Sequence, residues 1–122
     1  MSRRVLVVDD ETDTRQLLRL ILEKNQFHVT EAADGQIALD ALAENEFDLV
    51  VLDIRMPGLD GWAVLDAIKT DERWRRIKVV MVSAHTSPDA ARNALDRGAT
   101  AFVTKPFRWD EITSTLERAL GA

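Results

Sequence analysis

VLVVDDETDTR, residues 5–15, runs from four apolar residues directly into two adjacent carboxylates, Asp9 and Asp10. A continuous apolar run rich in β-branched residues is typical of a strand buried on both faces, as in a parallel sheet. Glu11 and Asp13 follow closely, so the strand ends in a concentration of negative charge. Carboxylates at such short range repel one another, and this end of the strand therefore requires a positive partner.

The rest of the chain alternates similar apolar runs with helical patterns. Val5–Val8, Leu49–Leu52 and Val79–Val82 are continuous, whereas FHVTEA (27–32) and TAFVT (100–104) are mixed, as expected nearer the edges of a sheet. Five such β–α units predict an α/β fold in which helices cover both faces of a parallel sheet. The apolar positions expected to face the core at helical spacing are Leu17, Leu18, Ile21, Leu22, Ile37, Ala38, Ala41, Leu42, Trp62, Leu65, Ile68, Ile112, Leu116, Ala119 and Leu120.

The fourth helix has a recognisable start and end. In the sequence SPD, Ser87 is predicted to cap the helix, Pro88 to occupy its first position and Asp89 to suit the helix dipole. Gly98 is predicted to end the helix in a left-handed conformation.

Length and composition limit the classes of protein. A chain of 122 residues suits one domain, residues 1–122, with no output domain. The absence of cysteine excludes disulfides and thiolate chemistry, and no apolar run approaches the roughly 18 residues that span a bilayer. The net charge of −5 argues against direct binding to nucleic acid or to an anionic membrane. The N-terminus MSRR leads into a strand rather than a secretory signal, so a cytoplasmic location is predicted.

Polar residues follow the predicted strands at the edge of the sheet where ligands bind in such folds. Mg²⁺ is typically held by one or two carboxylates, waters and a phosphate oxygen. Three carboxylates against Mg²⁺ and one lysine come formally to zero charge, so a phosphoryl group can enter a neutralised site. The residues concerned are Asp9 and Asp10 after the first strand, Asp53 after the third, Ser83 at the end of the fourth, and Lys105, followed by Pro106, after the fifth.

Four segments in this order resemble the receiver domain of two-component response regulators. They are VVDDE with the acid pair, DLVVLDIRMPGLDG around Asp53, VVMVSA with Ser83, and GATAFVTKPF with Lys105. The likeness extends from Arg4 to about Leu120. It implies a flavodoxin-like α/β fold, with a five-stranded parallel sheet in the order 2-1-3-4-5 and five helices on two faces.

The resemblance also implies a function. The chain is expected to be a signalling module that catalyses its own phosphorylation and dephosphorylation, rather than an enzyme acting on a separate metabolite. Asp53 is the expected phosphoacceptor, and a histidine kinase or histidine phosphotransfer protein is the expected donor. Mg²⁺ is the expected cofactor, bound by Asp9 or Asp10, by Asp53 and by the backbone carbonyl of Arg55. The downstream partner is a protein target or a fused output domain.

Further roles follow from the same resemblance. Lys105 and Ser83 are expected to bind phosphoryl oxygens, and Phe102 matches the aromatic switch position. Phosphorylation is expected to draw Ser83 inward, to turn Phe102 inward and to reshape the surface of the fourth helix, fifth strand and fifth helix. Trp109 lies beside that surface as a candidate partner contact. The Lys105–Pro106 bond is predicted to be cis, an arrangement found in about 5–6% of X–Pro bonds.

The sequence departs from the usual family pattern at several positions. Arg55 and His85, each two residues past a site residue, are bulky or basic where the family flanks the phosphoryl group, and both are predicted to tune its lifetime. Lys78 stands where a proline commonly precedes the fourth strand. Arg108 and Trp109 open the last helix where a good capping residue is usual, which predicts a weak helix start.

Other function classes fit the sequence less well. A small phosphohydrolase with an aspartate nucleophile after strand one needs an acid two residues later and a hydroxyl beyond it, and DDETDT matches this poorly. A flavin-binding protein of similar topology needs a Gly/Ser/Thr phosphate loop there, where four acids would repel the phosphate. A degenerate receiver that only binds a partner does not need the intact acid set. A receiver cut from a larger response regulator or hybrid kinase stays open as an alternative.

Two remaining features, the stretch 69–78 and His28, are expected to have no site role. KTDERWRRIK (69–78) contains five basic residues and Trp74, but it also holds acids and is predicted to be a solvated loop opposite the acidic edge. Neither His28 nor His85 lies on an amphipathic helix. The chain is therefore predicted to accept phosphoryl groups and not to donate them.

Overall fold

Strands and helices alternate throughout the described part of the chain. The structure is a computed structural model, and it describes residues 3–84 and 88–121. The elements are β1 (Arg3–Val8), α1 (Thr12–Lys24), β2 (Phe27–Ala32), α2 (Gly35–Glu44), β3 (Leu49–Leu52), α3 (Gly61–Thr70), β4 (Lys78–Ser83), α4 (Ala90–Asp96), β5 (Ala101–Thr104) and α5 (Trp109–Ala119).

The strands form one parallel sheet in the order β2-β1-β3-β4-β5. This order confirms the predicted fold class. β1 lies between β2 and β3, with Val5 opposite Val29 on one side and Leu49 on the other. The inner strands are the continuous apolar runs because both of their faces are covered, whereas His28 on the edge strand β2 is exposed.

Helices cover the sheet on two faces, each with its own apolar core. Successive strand residues point to opposite faces, so Val5 and Val7 belong to one core and Leu6 and Val8 to the other. α1 and α5 cover the first face through Leu18, Ile21, Leu22, Ile112 and Leu116. α2, α3 and α4 cover the second through Ala38, Leu42, Val64, Leu65, Ile68 and Ala94.

The starts of α2, α3 and α5 are stabilised in two different ways. The Asp34 and Asp60 carboxylates accept hydrogen bonds from the backbone N–H groups of Ile37 at 2.8 Å and Ala63 at 3.0 Å, which caps α2 and α3. At the start of α5, the backbone N–H of Arg108 donates to the Glu111 carboxylate at 3.1 Å. A glutamate one turn into α5 therefore supplies the hydrogen bond that the Arg108 side chain does not.

Some local predictions were wrong. α4 begins at Ala90, and Pro88 and Asp89 lie in the preceding turn. The proposed cap Ser87 lies outside the described residues. Leu17 and Ile37 are 43% and 46% exposed, so the buried stripes of α1 and α2 are narrower than their apolar patterns suggested. The left-handed end of α4 is confirmed, since Gly98 has φ +103°.

The basic stretch 69–78 lies at the amino end of β4, opposite the acidic edge. Arg73 bridges Asp71 at 2.8 Å and stacks 4.5 Å from the centroid of the Trp74 ring. The Lys69 ammonium donates to the backbone carbonyls of Arg75 and Ile77 at 3.1 and 2.7 Å. These side chains serve the turn between α3 and β4. The stretch is only partly the predicted solvated loop, because it includes the end of α3 and the start of β4, and Trp74 packs against the core. Among residues 3–84 and 88–121, each helix is too short or too polar to span a bilayer.

Candidate functional site

Asp9 and Asp53 are brought together by the pairing of β1 with its neighbours. The backbone N–H of Asp9 donates to the Ala32 carbonyl at 3.2 Å, and that of Asp53 donates to the Val8 carbonyl at 3.0 Å. Both aspartates therefore continue the hydrogen-bonding pattern of the sheet by one residue. Their exposed fractions are 1% and 6%, so both lie in the wall of the site rather than in solvent.

Asp10 completes a group of three carboxylates. Oxygens of Asp9, Asp10 and Asp53 all lie within 4.8 Å of one another. Asp10 is exposed, whereas the other two are buried. Hard oxygen ligands in this number and spacing fit a divalent cation such as Mg²⁺.

Lys105 reaches this group from the end of β5. Its Nζ lies 2.8 Å from Oδ2 of Asp9 and 3.3 Å from Oδ2 of Asp53. The backbone N–H of Lys105 donates to the Ser83 carbonyl at 2.9 Å, which fixes the residue to the end of β4. The bond from Lys105 to Pro106 is cis, as predicted.

The charges in the site perturb one another. Burial raises the pKa of the Asp9 carboxyl above its ordinary 3.8; repulsion from Asp53 adds to this, and hydrogen bonds from Lys105 and the Glu11 N–H oppose it. Burial alone would lower the pKa of the Lys105 ammonium, but its hydrogen bond to Asp9 and the charges of Asp9 and Asp53 raise it above 10.5 on balance. Lys105 is thus a permanent cation at neutral pH.

The loop after β3 packs tightly against the start of α3. The backbone N–H of Gly61 donates to the Ile54 carbonyl at 2.8 Å. A Cβ at Gly61 would overlap the carbonyl oxygen of Asp53, so glycine is required for this close approach. Arg55 is exposed in the same loop, two residues after Asp53.

The remaining predicted residues lie around this edge of the sheet. Ser83 is fully buried at the end of β4, and Phe102 is partly buried on β5, where it packs against the core under α2, α3 and α4. Trp109 is 42% exposed at the first position of α5. His85 lies outside the described residues.

Sequence reasoning missed three residues that join the site. The Glu11 carboxylate lies 3.3 Å from Lys105 Nζ. Arg15 donates to the backbone carbonyl of Asp9 and pairs with Glu31 on β2. The sequence does show a basic residue one turn into the helix that follows the acids, Arg15, and a charged residue near the end of a strand, Glu31. Neither feature indicates a contact without the structure.

Comparison with known proteins agrees with the fold. The family model described as "Response regulator receiver domain" matches residues 5–117. The phosphate regulon transcriptional regulatory protein PhoB of Escherichia coli is 34% identical over 120 residues, which is 98% of this chain and 52% of PhoB. The DNA-binding transcriptional regulator NtrC of the same organism is 39% identical over 116 residues, which is 95% of this chain and 24% of NtrC.

A solved structure of the chemotaxis response regulator CheY4 of Vibrio cholerae has a TM-score of 0.91 and 29% identity, covering 98% of this chain and 99% of CheY4. The chain therefore belongs to the receiver domain family of response regulators, the signalling proteins of two-component systems. It spans between 22% and 52% of the length of the curated relatives ARR10 of Arabidopsis thaliana and PhoB of Klebsiella pneumoniae.

Proposed function

We propose that this chain receives a phosphoryl group on Asp53 from a phosphohistidine of a histidine kinase or phosphotransfer protein. The observation that carries the proposal is the convergence of Asp9, Asp10 and Asp53 with Lys105 at one edge of the sheet. Phosphoryl transfer depends on positioning and charge stabilisation more than on covalent help from the protein. The buried carboxylate of Asp53 is held in place, and the neighbouring ammonium of Lys105 stabilises charge.

The proposed cofactor is Mg²⁺, held by Asp9, Asp10 and Asp53 with the backbone carbonyl of Arg55. Support comes from the donor set, because the three carboxylates crowd within 4.8 Å and Asp9 already has a raised pKa. When bound, the metal neutralises the acids and the charge that develops on the phosphoryl oxygens. The cluster alone would repel an incoming phosphoryl group.

The proposed transfer is an in-line displacement. A carboxylate oxygen of Asp53 attacks phosphorus, the P–N bond to the donor imidazole breaks, and an acyl phosphate forms. The electron pair of the broken bond stays on the imidazole nitrogen. Lys105, already beside Asp53, then pairs with a phosphoryl oxygen, and the buried Ser83 supplies a hydroxyl from the end of β4. Hydrolysis of the acyl phosphate by water returns Asp53 to its free carboxylate.

Dependence on the metal gives a direct test. Treated with a small phosphodonor such as acetyl phosphate, the protein is expected to gain one phosphoryl group by intact mass in the presence of Mg²⁺ and none after chelation. Restoring excess Mg²⁺ should restore the product, which controls for damage by the chelator. Equal labelling with and without Mg²⁺ would contradict the proposed role of the three carboxylates.

We further propose that the phosphorylated site acts on the surface of α4, β5 and α5 through Ser83 and Phe102. Leu95 on α4 and Trp109 on α5 are 50% and 42% exposed, and both helices pack against β5. This arrangement leaves apolar side chains available for a partner. Phenylalanine lacks the hydroxyl with which tyrosine would anchor either state, so a loose switch is expected.

Trp109 emission reports on this coupling. In a protein carrying Trp62→Phe and Trp74→Phe, phosphorylation is expected to shift the emission of Trp109, because the environment of α5 changes. Phe102→Ala in the same background should remove the shift while the phosphorylated fraction stays the same. Emission and amide exchange at Trp109 that do not respond to phosphorylation would contradict the coupling.

Arg55 and His85 are proposed to set the lifetime of the phosphoryl group. The exposed Arg55 lies two residues after Asp53 and has a stem long enough to shield the approach of water or to pair with phosphoryl oxygens. Arg55→Ala is expected to lose the phosphoryl group several-fold faster at fixed Mg²⁺, and Arg55→Lys less so. Unchanged rates in Arg55→Ala and in His85→Ala would leave both positions without a role.

We also propose an output and a cellular location for this chain. The relatives PhoB and NtrC are longer than this chain. The comparisons are therefore consistent with an output domain fused to this receiver and also with a separate protein target. A cytoplasmic location, with no direct contact to nucleic acid or membrane by this domain, is proposed on the family and on the net charge of −5.

A further inference from the structure

Arg15 connects α1 to β2 and to the turn that follows β1. Its Nη1 donates a hydrogen bond to the backbone carbonyl of Asp9 at 2.7 Å. Its Nε donates to the Glu31 carboxylate at 2.9 Å, and the Arg15 side chain is 15% exposed. The guanidinium therefore links a helix, an edge strand and the peptide group between Asp9 and Asp10.

The two neighbouring aspartates are held in different ways. The Asp9 carboxylate accepts from the Glu11 N–H at 2.9 Å and from Lys105 at 2.8 Å. The Asp10 side chain is exposed, and within residues 3–84 and 88–121 no hydrogen bond or ion pair holds its carboxylate. The position of the Asp10 carboxylate therefore depends on the backbone that carries it.

Arg15 acts on that backbone. The carbonyl of Asp9 belongs to the peptide group that leads into Asp10, and a peptide group is planar. Holding its oxygen sets the direction in which the chain enters Asp10. We propose that Arg15, oriented by Glu31, is a positioning residue that places the Asp10 carboxylate beside Asp9 and Asp53 for a divalent cation. This inference rests on the proposed function, since it concerns the proposed Mg²⁺ site.

A positioning role and a purely electrostatic role of Arg15 predict opposite changes in Mg²⁺ affinity when Arg15 is removed. Arg15 brings a positive charge close to the cluster, so if charge were its whole influence, removing it would tighten Mg²⁺ binding. If Arg15 positions Asp10, removing it loosens a ligand and weakens binding. Groups that orient metal ligands from outside typically contribute 10–100-fold to metal affinity.

Arg19 provides a matched control on the same helix. It pairs with the same Glu31 at 2.6 Å and with Glu23 at 3.2 Å. Arg19 donates hydrogen bonds to these carboxylates, whereas the Asp9 carbonyl accepts from Arg15. Arg19→Met therefore removes the same charge and an ion pair to the same partner but leaves the hydrogen bond to the Asp9 carbonyl in place.

The test measures the dissociation constant of Mg²⁺ by calorimetry in the unphosphorylated full chain, together with thermal unfolding. Arg15→Met is expected to weaken Mg²⁺ binding by about 10-fold. Arg19→Met should stay within about two-fold of the original, because the Arg19 side chain is 42% exposed and its ion pairs are therefore largely screened. Arg15→Lys should fall between, since one ammonium does not reproduce the two-point contact of a guanidinium.

The outcomes separate this inference from the proposed function. Equal losses in Arg15→Met and Arg19→Met, unchanged binding in Arg15→Met, or tighter binding in it would overturn the positioning role. If Arg15→Met does not fold, Arg15→Lys decides, and unchanged affinity there overturns the role. Absence of Mg²⁺ binding by the unaltered protein would contradict the proposed function itself, and the inference with it.

Discussion

Asp53→Asn protein is expected to gain no phosphoryl group from a small phosphodonor under conditions in which the unaltered protein gains one. Asparagine keeps the shape of the side chain but lacks the carboxylate that attacks phosphorus. The backbone of residue 53 is fixed by its hydrogen bond to Val8, so the replacing side chain keeps its place at the end of β3. The expected effect is therefore complete loss, read by intact mass.

Asp13→Asn is the matched control. Asp13 lies in the first turn of α1, is exposed, and is outside the group of three carboxylates. It should be labelled like the unaltered protein. Labelling of Asp53→Asn to the same extent would show that another residue accepts the phosphoryl group.

Lys105→Met is expected to cause the largest loss of stability. It would leave the carboxylates of Asp9 and Asp53, 1% and 6% exposed, without the ammonium that pairs with both. Removing one partner of a buried pair typically lowers the free energy of unfolding by about 3–5 kcal/mol. Urea unfolding at neutral pH without Mg²⁺ measures it.

The pKa shifts in the site determine how the stability contributed by Lys105 changes with pH. Because the pKa of Lys105 is raised in the folded state, the stabilisation by its ammonium is complete below pH 10.5, the ordinary pKa of lysine. That stabilisation is lost as the pH rises through the folded-state pKa. The raised pKa of Asp9 means that the folded state favours its protonated form, which needs no cation. The deficit of Lys105→Met should therefore shrink as the pH falls toward 3.8, the ordinary value of the Asp9 carboxyl.

Lys69→Met is the control for removing a lysine. Lys69 donates to two backbone carbonyls and pairs with no carboxylate in the described ranges. Its loss should cost about 2 kcal/mol, about 1 for each of the two hydrogen bonds, and this cost should not shrink as the pH falls. A Lys105→Met deficit no larger than this would show that the ammonium does not stabilise the acid cluster.

The sheet and the convergence of the site could be predicted because both depend on simple rules. Parallel strands bring their carboxyl ends to one edge of the sheet, and the strand order that sets Asp9, Asp53 and Lys105 close together there was implied by the resemblance to receiver domains. The apolar patterns could not give the width of a buried stripe, because neighbouring elements decide it. Leu17 and Ile37 are accordingly exposed.

Contacts across the site could not be predicted in the same way. The start of α4 was placed too early because a local capping pattern does not include tertiary packing. The contacts of Glu11 with Lys105 and of Arg15 with the Asp9 carbonyl depend on how α1 leaves the end of β1. No spacing rule within one segment specifies that geometry.

The most direct test of the account is the chemical location of the phosphoryl group. After reaction with a phosphodonor in Mg²⁺, borohydride reduction converts an aspartyl phosphate to homoserine, which peptide mass spectrometry locates in the sequence. Phosphorylation of Asp53 predicts homoserine at position 53 and aspartate retained at positions 9 and 10. Homoserine at position 9 or 10, or a phosphoryl group that borohydride does not remove, would contradict it.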